Sequence, residues 1–448
     1  MLFSSLEFLY VFLPLTLIFY ALSPRGLKNG ILLLVSLLFY AYGEPIYVFL
    51  MIATIALNYG FGRWLQRTSA RKGVLVCAVA VNVGLLFFFK YAGAIFPALG
   101  QIPLPIGISF YTFQALSYVV DVYREEVRAS DRPVAFGAYI TMFPQLIAGP
   151  IVRYSDVERQ LMERGYTAER IASGIAAFSV GLAKKVLLAN PAGALADSLL
   201  AEADTVLCAV LWLVFYSFQI YFDFSGYSDM AVGLGRMLGF DFPENFCYPY
   251  TAKSITDFWR RWHITLSSFF REYVYIPLGG NRRGRGRTYL NLLIVWSLTG
   301  LWHGASFNFL LWGLYFFIIL LVEKAGFYKL LNQIPSVFSH GYAILLILVG
   351  WFIFASDGTK DTLSLLSLFG NAPFSNGWSL YELRRHLPFL SVLIFGVTPI
   401  PKRIFSGIEK RCPRSFGMLR IVFCMGSLIL CTAYLVSSGY NPFLYFRF

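Results

Sequence analysis

Residues 307–322 read FNFLLWGLYFFIILLV, sixteen consecutive positions without a charged side chain. Similar runs recur along the whole chain, and a protein that is 57% hydrophobic and only 14% charged cannot bury that much apolar surface in a water-soluble core. Lipid is therefore the predicted solvent. The apolar runs comprise residues 8–22, 31–42, 47–61, 74–89, 106–122, 171–188, 211–222, 290–302, 307–322, 343–354, 387–400 and 418–436.

The length of these runs predicts how the chain crosses the membrane. A helix needs about 20 apolar residues to span the hydrocarbon core, and several runs are shorter. Helices are the expected spanning elements because they satisfy their own backbone hydrogen bonds in lipid. The sequence thus predicts an all-α polytopic membrane protein with roughly ten to twelve spans, some of them re-entrant or tilted. No stretch indicates a soluble domain, so residues 1–448 are predicted to form a single transmembrane domain, whose first run is retained as a helix.

The net charge of +13 is unevenly distributed. Lysines and arginines occupy alternate loops, around residues 25–28, 63–72 and 402–420, whereas the turn at residues 43–46 carries only Glu44. The positive-inside rule then places both termini outside the cytoplasm. We interpret the basic excess as a topology signal, in preference to nucleic-acid or heparin binding.

Segment 239–287 interleaves aromatic and arginine side chains and is too charged to span lipid, a composition typical of amphipathic helices at the membrane interface. Several prolines interrupt or border apolar runs, and broken helices at membrane depth require surrounding protein or a cavity. The six cysteines include no C-x-x-C pair and no neighbouring histidine, so neither a metal site nor a disulfide framework is predicted. The prolines concerned are Pro103, Pro105, Pro144, Pro150 and Pro191.

His303 lies in WSLTGLWHGASFNFLLWG, residues 296–313, which carry no charge. Burial disfavours the protonated imidazole, so a neutral base is expected, as general-base activation of a hydroxyl requires. Thr299, Ser306 and Asn308 are polar groups near enough in sequence to orient the ring or to stabilise an oxyanion. The alternative is a structural histidine whose nitrogens are satisfied by neighbours, with the three polar residues tying helices together.

A second histidine, His263, lies in the charged and aromatic stretch DFWRRWHITLSSFFREYVYIPLGGNRRGRGR. An interfacial helix explains it without any chemistry. The following Gly- and Arg-rich run, residues 281–287, supplies Arg282, Arg283 and Arg285 as candidate contacts for the phosphates of coenzyme A. Positive-inside placement explains the same arginines equally well.

Residues 217–229 add polar side chains to an apolar run. Carboxylates at membrane depth are costly unless paired or hydrated, and they usually mark pathways, so we favour the lining of a tunnel. The alternative is that Asp223 forms an ion pair with Arg260 or Arg261 that only holds helices together. The candidate tunnel or substrate-binding residues are Gln219, Asp223, Ser225, Tyr227, Arg260, Arg261, Trp302 and Asn308.

Seven stretches of the chain together resemble the membrane-bound O-acyltransferase superfamily, and within it the bacterial alginate and peptidoglycan O-acetyltransferase branch. They keep their order from the first residues to the last. The stretches are MLFSSLEFLYVFLPL, PIGISFYTFQALSYVVDVYR, FPQLIAGPIVRYSD, SFQIYFDFSGYSDMAVGLGRMLGF, FWRRWHITLSSFFREYVYIPLGGNR, TGLWHGASFNFLLWG and NPFLYFRF.

The resemblance implies a helical bundle with a cytoplasmic and an extracytoplasmic funnel that meet near a catalytic histidine. That histidine is His303 by the TGLWHG motif, and His263 is the second site residue by the FWRRWH motif. The resemblance also implies acetyl-CoA as a cytoplasmic donor, no permanently bound cofactor, a polysaccharide acceptor, and an extracytoplasmic esterase-like partner protein. The chain departs from the family pattern at Ala355 after WFIF, where many relatives carry an arginine.

The terminal stretch NPFLYFRF is predicted to lie outside and to serve as an interfacial anchor. A sharper hypothesis is that the Tyr445 hydroxyl reaches His303 and carries the acyl group towards the partner. We therefore predict an acetyltransferase in a bacterial cytoplasmic membrane. The rival functions are D-alanyl transfer to a cell-envelope polymer, long-chain lipid acylation, and transport without chemistry.

Overall fold

The computed structural model describes residues 1–100, 102–356 and 360–444. Throughout these ranges the regular secondary structure is helical, which confirms the predicted fold class. The α-helices are α1 Leu13–Leu22, α2 Lys28–Gly43, α3 Tyr47–Arg67, α4 Arg71–Ile95, α5 Ile108–Tyr123, α6 Pro133–Thr141, α7 Phe143–Leu146, α8 Tyr154–Met162, α9 Ala168–Ala183, α10 Asn190–Ala201, α11 Val206–Leu238, α12 Ile255–Trp259, α13 Ile264–Phe270, α14 Arg285–His303, α15 Phe307–Val322, α16 Tyr328–Leu331, α17 Ser336–Ala355, α18 Lys360–Asn371, α19 Gly377–Gly396, α20 Ile400–Arg411 and α21 Pro413–Ser437. Four π-helical turns join or precede them, at Phe8–Phe12, Lys184–Ala189, Arg271–Tyr275 and Glu323–Phe327.

Eight helical stretches of the described residues are long and apolar enough to cross a membrane, and a ninth results if α19 and α20, bent by 63°, form one span. The chain is therefore a multi-pass membrane protein. The eight stretches are Arg25–Gly43, Tyr47–Arg67, Arg71–Ile95, Ala168–Ala201, Val206–Leu238, Phe307–Leu331, Ser336–Ala355 and Ser415–Ser437.

This count is lower than the predicted ten to twelve spans, because three apolar runs form helices of another kind. The first run forms the short apolar stretch Phe8–Leu22. The run at 106–122 forms α5, whose residues are almost all buried in protein. The run at 290–302 belongs to α14, which begins with two arginines within its first three residues. Apolar runs therefore overestimated the number of spans.

Segment 239–287, for which the composition predicted amphipathic helices at the membrane interface, is built from short elements. It forms the short helices α12 and α13 and a π-helical turn, joined by irregular backbone. Phe258 and Trp262 are buried. His263 adopts a left-handed conformation with φ of 45°, which interrupts the helical path between α12 and α13.

The chain divides into two compact units. The first comprises Met1–Leu182, Tyr227–Glu244 and Ser268–Tyr273, and its core contains an aromatic cluster in which Phe3 stacks on Tyr227 at 4.5 Å between ring centres. The second comprises Ala183–Gly226, Asn245–Ser267 and Val274–Phe448. The single transmembrane domain stays a prediction.

Within the second unit, a buried carboxylate fixes the start of α12. Glu323, just after α15, accepts hydrogen bonds from the backbone nitrogens of Ile255 at 2.7 Å and Thr256 at 2.8 Å. Its second oxygen also accepts from the Thr256 hydroxyl at 2.6 Å. A negative charge at a helix N-terminus satisfies backbone donors that have no partner within the helix. Glu323 thereby holds the segment that leads to His263.

Candidate active site

His303 is the last residue of α14 and lies in an aromatic cage within the second unit. The side chain is buried, at 6% exposure. Its ring centre is 4.8 Å from that of Trp302, 5.0 Å from Trp312 and 5.1 Å from Phe354. These neighbours come from α14, α15 and α17, so three helices exclude water from one imidazole. Apolar surroundings of this kind disfavour a charged side chain in general. The neutral imidazole expected from sequence stays a prediction.

Two of the polar residues near His303, Asn308 and Thr299, make hydrogen bonds to the helix backbone. The Asn308 amide nitrogen donates to the Phe354 carbonyl at 3.0 Å and so ties α15 to the end of α17. The Thr299 hydroxyl donates to the Val295 carbonyl one turn earlier in α14. These contacts match the alternative in which polar groups tie helices together. A role for Asn308 in substrate binding stays a prediction.

Trp302 connects the two histidines, because its ring contacts both. The ring centre of His263 lies 6.2 Å from that of Trp302 and 4.8 Å from that of Phe224. The structure therefore places His263 and His303 around one indole, as expected for residues of one site. Burial lowers the pKa of His263 to about 3, so this ring is neutral at physiological pH.

A hydrogen bond assigns the tautomer of His263. Its Nδ1 lies 3.0 Å from the Asn245 side-chain oxygen. The same oxygen accepts from the Thr265 backbone nitrogen at 3.2 Å and from the Thr265 hydroxyl at 2.9 Å. Because a backbone N–H can only donate, the shared atom must be the amide oxygen, and His263 Nδ1 must carry a proton. The Nε2 atom of the neutral ring therefore holds a lone pair and is an acceptor or base.

Sequence reasoning missed Asn245. It lies in PENFCYPY, where proline neighbours make an asparagine typical of a turn. Nothing local shows that its side chain is buried and shared by residues 18 and 20 positions later. The pairing arises only when the loop after α11 folds against the start of α13.

An Asn245→Ala variant is expected to lose stability and turnover. His263 and Thr265 lose a shared acceptor where water cannot replace it, at a cost of about 1–3 kcal/mol per unsatisfied donor. Thermal unfolding followed by tryptophan fluorescence, together with release of coenzyme A, measures both effects. Unchanged values for both would contradict the proposed role of Asn245.

The matched variant Asn245→Asp keeps an acceptor but adds negative charge, which raises the pKa of His263. In the wild type, the pKa of His263 is about 3 in the folded state and about 6.5 in the unfolded state. Between these pH values only the unfolded state binds the proton, so the free energy of unfolding decreases as pH falls from about 6.5 towards 3. Asn245→Asp should make this loss smaller. It should also give turnover a new pH dependence within about pH 5 to 8. An acid-unfolding profile and a pH–rate profile test the two statements.

Asp223 does not pair with Arg260 or Arg261, so that alternative was wrong. It forms an ion pair with Lys185, whose Nζ is 2.7 Å from Asp223 Oδ1. Arg261 pairs instead with Asp257, four residues earlier, at 3.0 Å. Arg260 is exposed at the end of α12. A lysine in an apolar run gave no sequence signal that it would reach α11.

The remaining candidates fall into three groups. Gln219 and Ser225 are buried on α11 in the second unit, whereas Tyr227 belongs to the first unit and packs there against Phe3. The three arginines predicted to contact phosphates are exposed, two in the loop before α14 and one at its first residue. Tyr445 lies outside the described residues. The three arginines are Arg282, Arg283 and Arg285.

Comparison with known proteins gives the same answer as the motifs. The sequence profile of the membrane-bound O-acyltransferase family matches residues 19–356. The chain is 37% identical to the probable alginate O-acetylase AlgI of Pseudomonas putida over 100% of both chains, and 41% identical to that of Azotobacter vinelandii over 92% of this chain and 88% of the relative. It is 35% identical to the peptidoglycan O-acetyltransferase of Helicobacter pylori over 82% of this chain and 79% of the relative.

Proposed function

The chain belongs to the membrane-bound O-acyltransferase family and is an acyltransferase, and from this premise we propose that it transfers an acetyl group from cytoplasmic acetyl-CoA towards a polysaccharide outside the membrane. His303 acts as the general base, and an extracytoplasmic partner protein completes delivery to the polymer. The observation that carries the proposal is the buried imidazole of His303 in its aromatic cage, joined through Trp302 to a second buried histidine, His263.

The chemistry needs one proton acceptor that is uncharged before reaction. His303 accepts the proton of the acceptor hydroxyl while that oxygen bonds to the thioester carbonyl carbon. The tetrahedral intermediate then breaks its C–S bond, and the sulfur of coenzyme A leaves with the proton that the imidazolium returns. His263, with Nε2 unprotonated, is suited to accept a hydrogen bond from the same hydroxyl and so to orient it. The Asn308 amide nitrogen donates one N–H to the Phe354 carbonyl, and its second N–H would stabilise the oxyanion.

The donor is assigned to the cytoplasmic face. Arg282, Arg283 and Arg285 are exposed together at the start of α14, the helix that ends at His303. Guanidinium groups suit the phosphates of coenzyme A because they donate in a bidentate manner. Placement of this loop in the cytoplasm, and of both termini outside the cytoplasmic membrane of a bacterium, follows from the positive-inside rule.

The acceptor is assigned from the relatives, whose names specify alginate and peptidoglycan O-acetylation. Both polymers present sugar hydroxyls, and a neutral buried base is the group needed to activate a hydroxyl. A polysaccharide of the cell envelope is thus the proposed destination. Tyr445 is kept as the candidate hydroxyl that receives the acetyl group first.

Reconstituted protein tests the proposal directly. Full-length protein in nanodiscs should release coenzyme A from acetyl-CoA and should form an acetyl ester, detectable by mass spectrometry, on itself or on added oligosaccharide. Long-chain acyl-CoA and a D-alanyl carrier thioester serve as matched donors, and neither should replace acetyl-CoA. A transporter without chemistry predicts intact acetyl-CoA under all conditions. Preference for either alternative donor would assign the enzyme to another acyl transfer reaction.

A further inference from the structure

The described end of the chain, residues 440–444, is docked along one helical segment of the second unit. The Tyr440 hydroxyl donates to Asp197 at 2.7 Å, and the Asn190 amide donates to the Asn441 side chain at 3.2 Å. The Lys185 ammonium donates to the Pro442 carbonyl. Tail residues 440, 441 and 442 have hydrogen-bond partners at 197, 190 and 185, which lie progressively earlier in the chain. The tail therefore runs antiparallel to this helix over its whole contact.

Lys185 and Asp223 hold the tail through its backbone. The two side chains pair at 2.7 Å and are only 3% and 4% exposed. Lys185 donates to the Pro442 carbonyl, and Asp223 Oδ2 accepts from the Leu444 backbone nitrogen at 2.9 Å. Each of the two charged groups therefore makes a further hydrogen bond, beyond the ion pair, to the backbone of the tail. A buried ion pair needs such additional bonds to offset its desolvation.

The surface beneath the tail is shaped to receive it. A Cβ added at Gly193 would collide with the Gln219 side-chain nitrogen and would lie 2.8 Å from the Tyr440 hydroxyl. The tail and α11 thus approach the α10 backbone more closely than any side chain at that position would allow. Phe443 and Leu444 are themselves buried. These features are typical of a segment with one defined position.

The docked tail is connected to the histidine site through α11. Asp223, which binds Leu444, directly precedes Phe224, whose ring contacts His263 at 4.8 Å between centres. A displacement of α11 at Asp223 therefore also moves Phe224, the residue whose ring contacts His263. Asp223 also fixes the backbone position of Leu444, the last residue that the structure describes.

We propose that Lys185 and Asp223 are positioning residues for acyl transfer, which act by holding segment 440–444 against α11, the helix whose Phe224 contacts His263. The proposal rests on the proposed function, because it assigns the docked tail a part in that reaction. It assigns to these two residues no contact with the acyl group. The alternative is that the pair only stabilises the fold.

A double substitution separates the two explanations. Removal of one partner leaves an uncompensated buried charge and destabilises any fold, whereas replacement of both by apolar residues of similar size is often neutral. Lys185→Met combined with Asp223→Leu should therefore unfold at the wild-type temperature. It should still release the tail, because neither bond to the tail backbone can form.

Two readouts on full-length protein in nanodiscs test this. Hydrogen exchange at the amide of Leu444, followed by mass spectrometry, should become faster by about tenfold or more in the double variant, as expected for loss of a bond to a charged group. Release of coenzyme A from acetyl-CoA should fall by about tenfold or more. Lys402→Met, an exposed charge removal in the same unit, should give neither change.

Each outcome decides the proposal. Slow exchange in the double variant would show that the pair does not hold the tail. Fast exchange with wild-type turnover would show that the docked tail plays no part in the reaction. If the wild type itself shows no turnover, the proposed function fails, while the exchange data still decide whether Lys185 and Asp223 dock the tail.

Discussion

A His303→Gln variant should lose acyl transfer by a factor of about 10² to 10⁴, the usual contribution of a general base. Glutamine keeps a polar side chain that can hydrogen-bond inside the aromatic cage, but it cannot accept a proton from a hydroxyl. The cage of Trp302, Trp312 and Phe354 excludes water that could replace the base. Release of coenzyme A and formation of acetyl ester, both measured on reconstituted protein, give the size of the loss.

His340 provides the matched control. It is exposed on α17, and its Nδ1 lies 3.0 Å from the Ala252 carbonyl. His340→Gln makes the same chemical change away from the cage and should retain wild-type turnover. If a correctly folded His303→Gln protein also retained wild-type turnover, His303 would not be the base, and the cage would be a packing feature.

Much of the fold could be predicted from sequence, because lipid imposes a simple rule. Apolar runs such as 307–322 formed helices, and the order of seven motifs indicated the family, which the comparisons confirm. The number of spans could not be predicted in the same way. Helix α5 comes from one of the apolar runs, yet its residues are almost all buried in protein. An apolar run in the sequence does not show whether lipid or protein will surround it.

Candidate site residues could be predicted where the residue type is unusual for its surroundings, and could not be predicted where it is common. Histidine in an uncharged stretch such as residues 296–313 is unusual, so His303 stood out. Asn245 lies in a loop and Lys185 within a long helical stretch, and their roles depend on partners 18 and 38 positions later in the chain. The same limit explains the wrong pairing considered for Asp223, since nearby arginines in sequence were favoured over a lysine brought close by folding.

The TGLWHG and FLLWG motifs contain two glycines that allow α14 and α15 to pack closely. A Cβ added at Gly300 would lie 2.5 Å from the Phe309 carbonyl oxygen, and one at Gly313 would overlap the Trp296 carbonyl oxygen. In both cases the obstacle is backbone, which cannot rotate away as a side chain can. Close approach through small residues is a common way for membrane helices to associate. The hairpin that carries His303 at its turn therefore depends on these two positions.

A Gly313→Val variant should accordingly be among the most damaging substitutions outside the histidines. The added side chain must separate α14 from α15, and overpacking of this kind costs about 1–3 kcal/mol or more. The separation moves Trp312 and Phe354 away from His303, so turnover should fall further than stability alone explains. Gly341→Val is the matched control, because it makes the same change in α17 where no atom lies within 4 Å of the added Cβ. Thermal unfolding and release of coenzyme A compare the two variants at equal protein concentration. Equal unfolding temperatures and equal turnover would mean that α14 and α15 can separate without cost, and the cage around His303 would then owe its shape to other contacts.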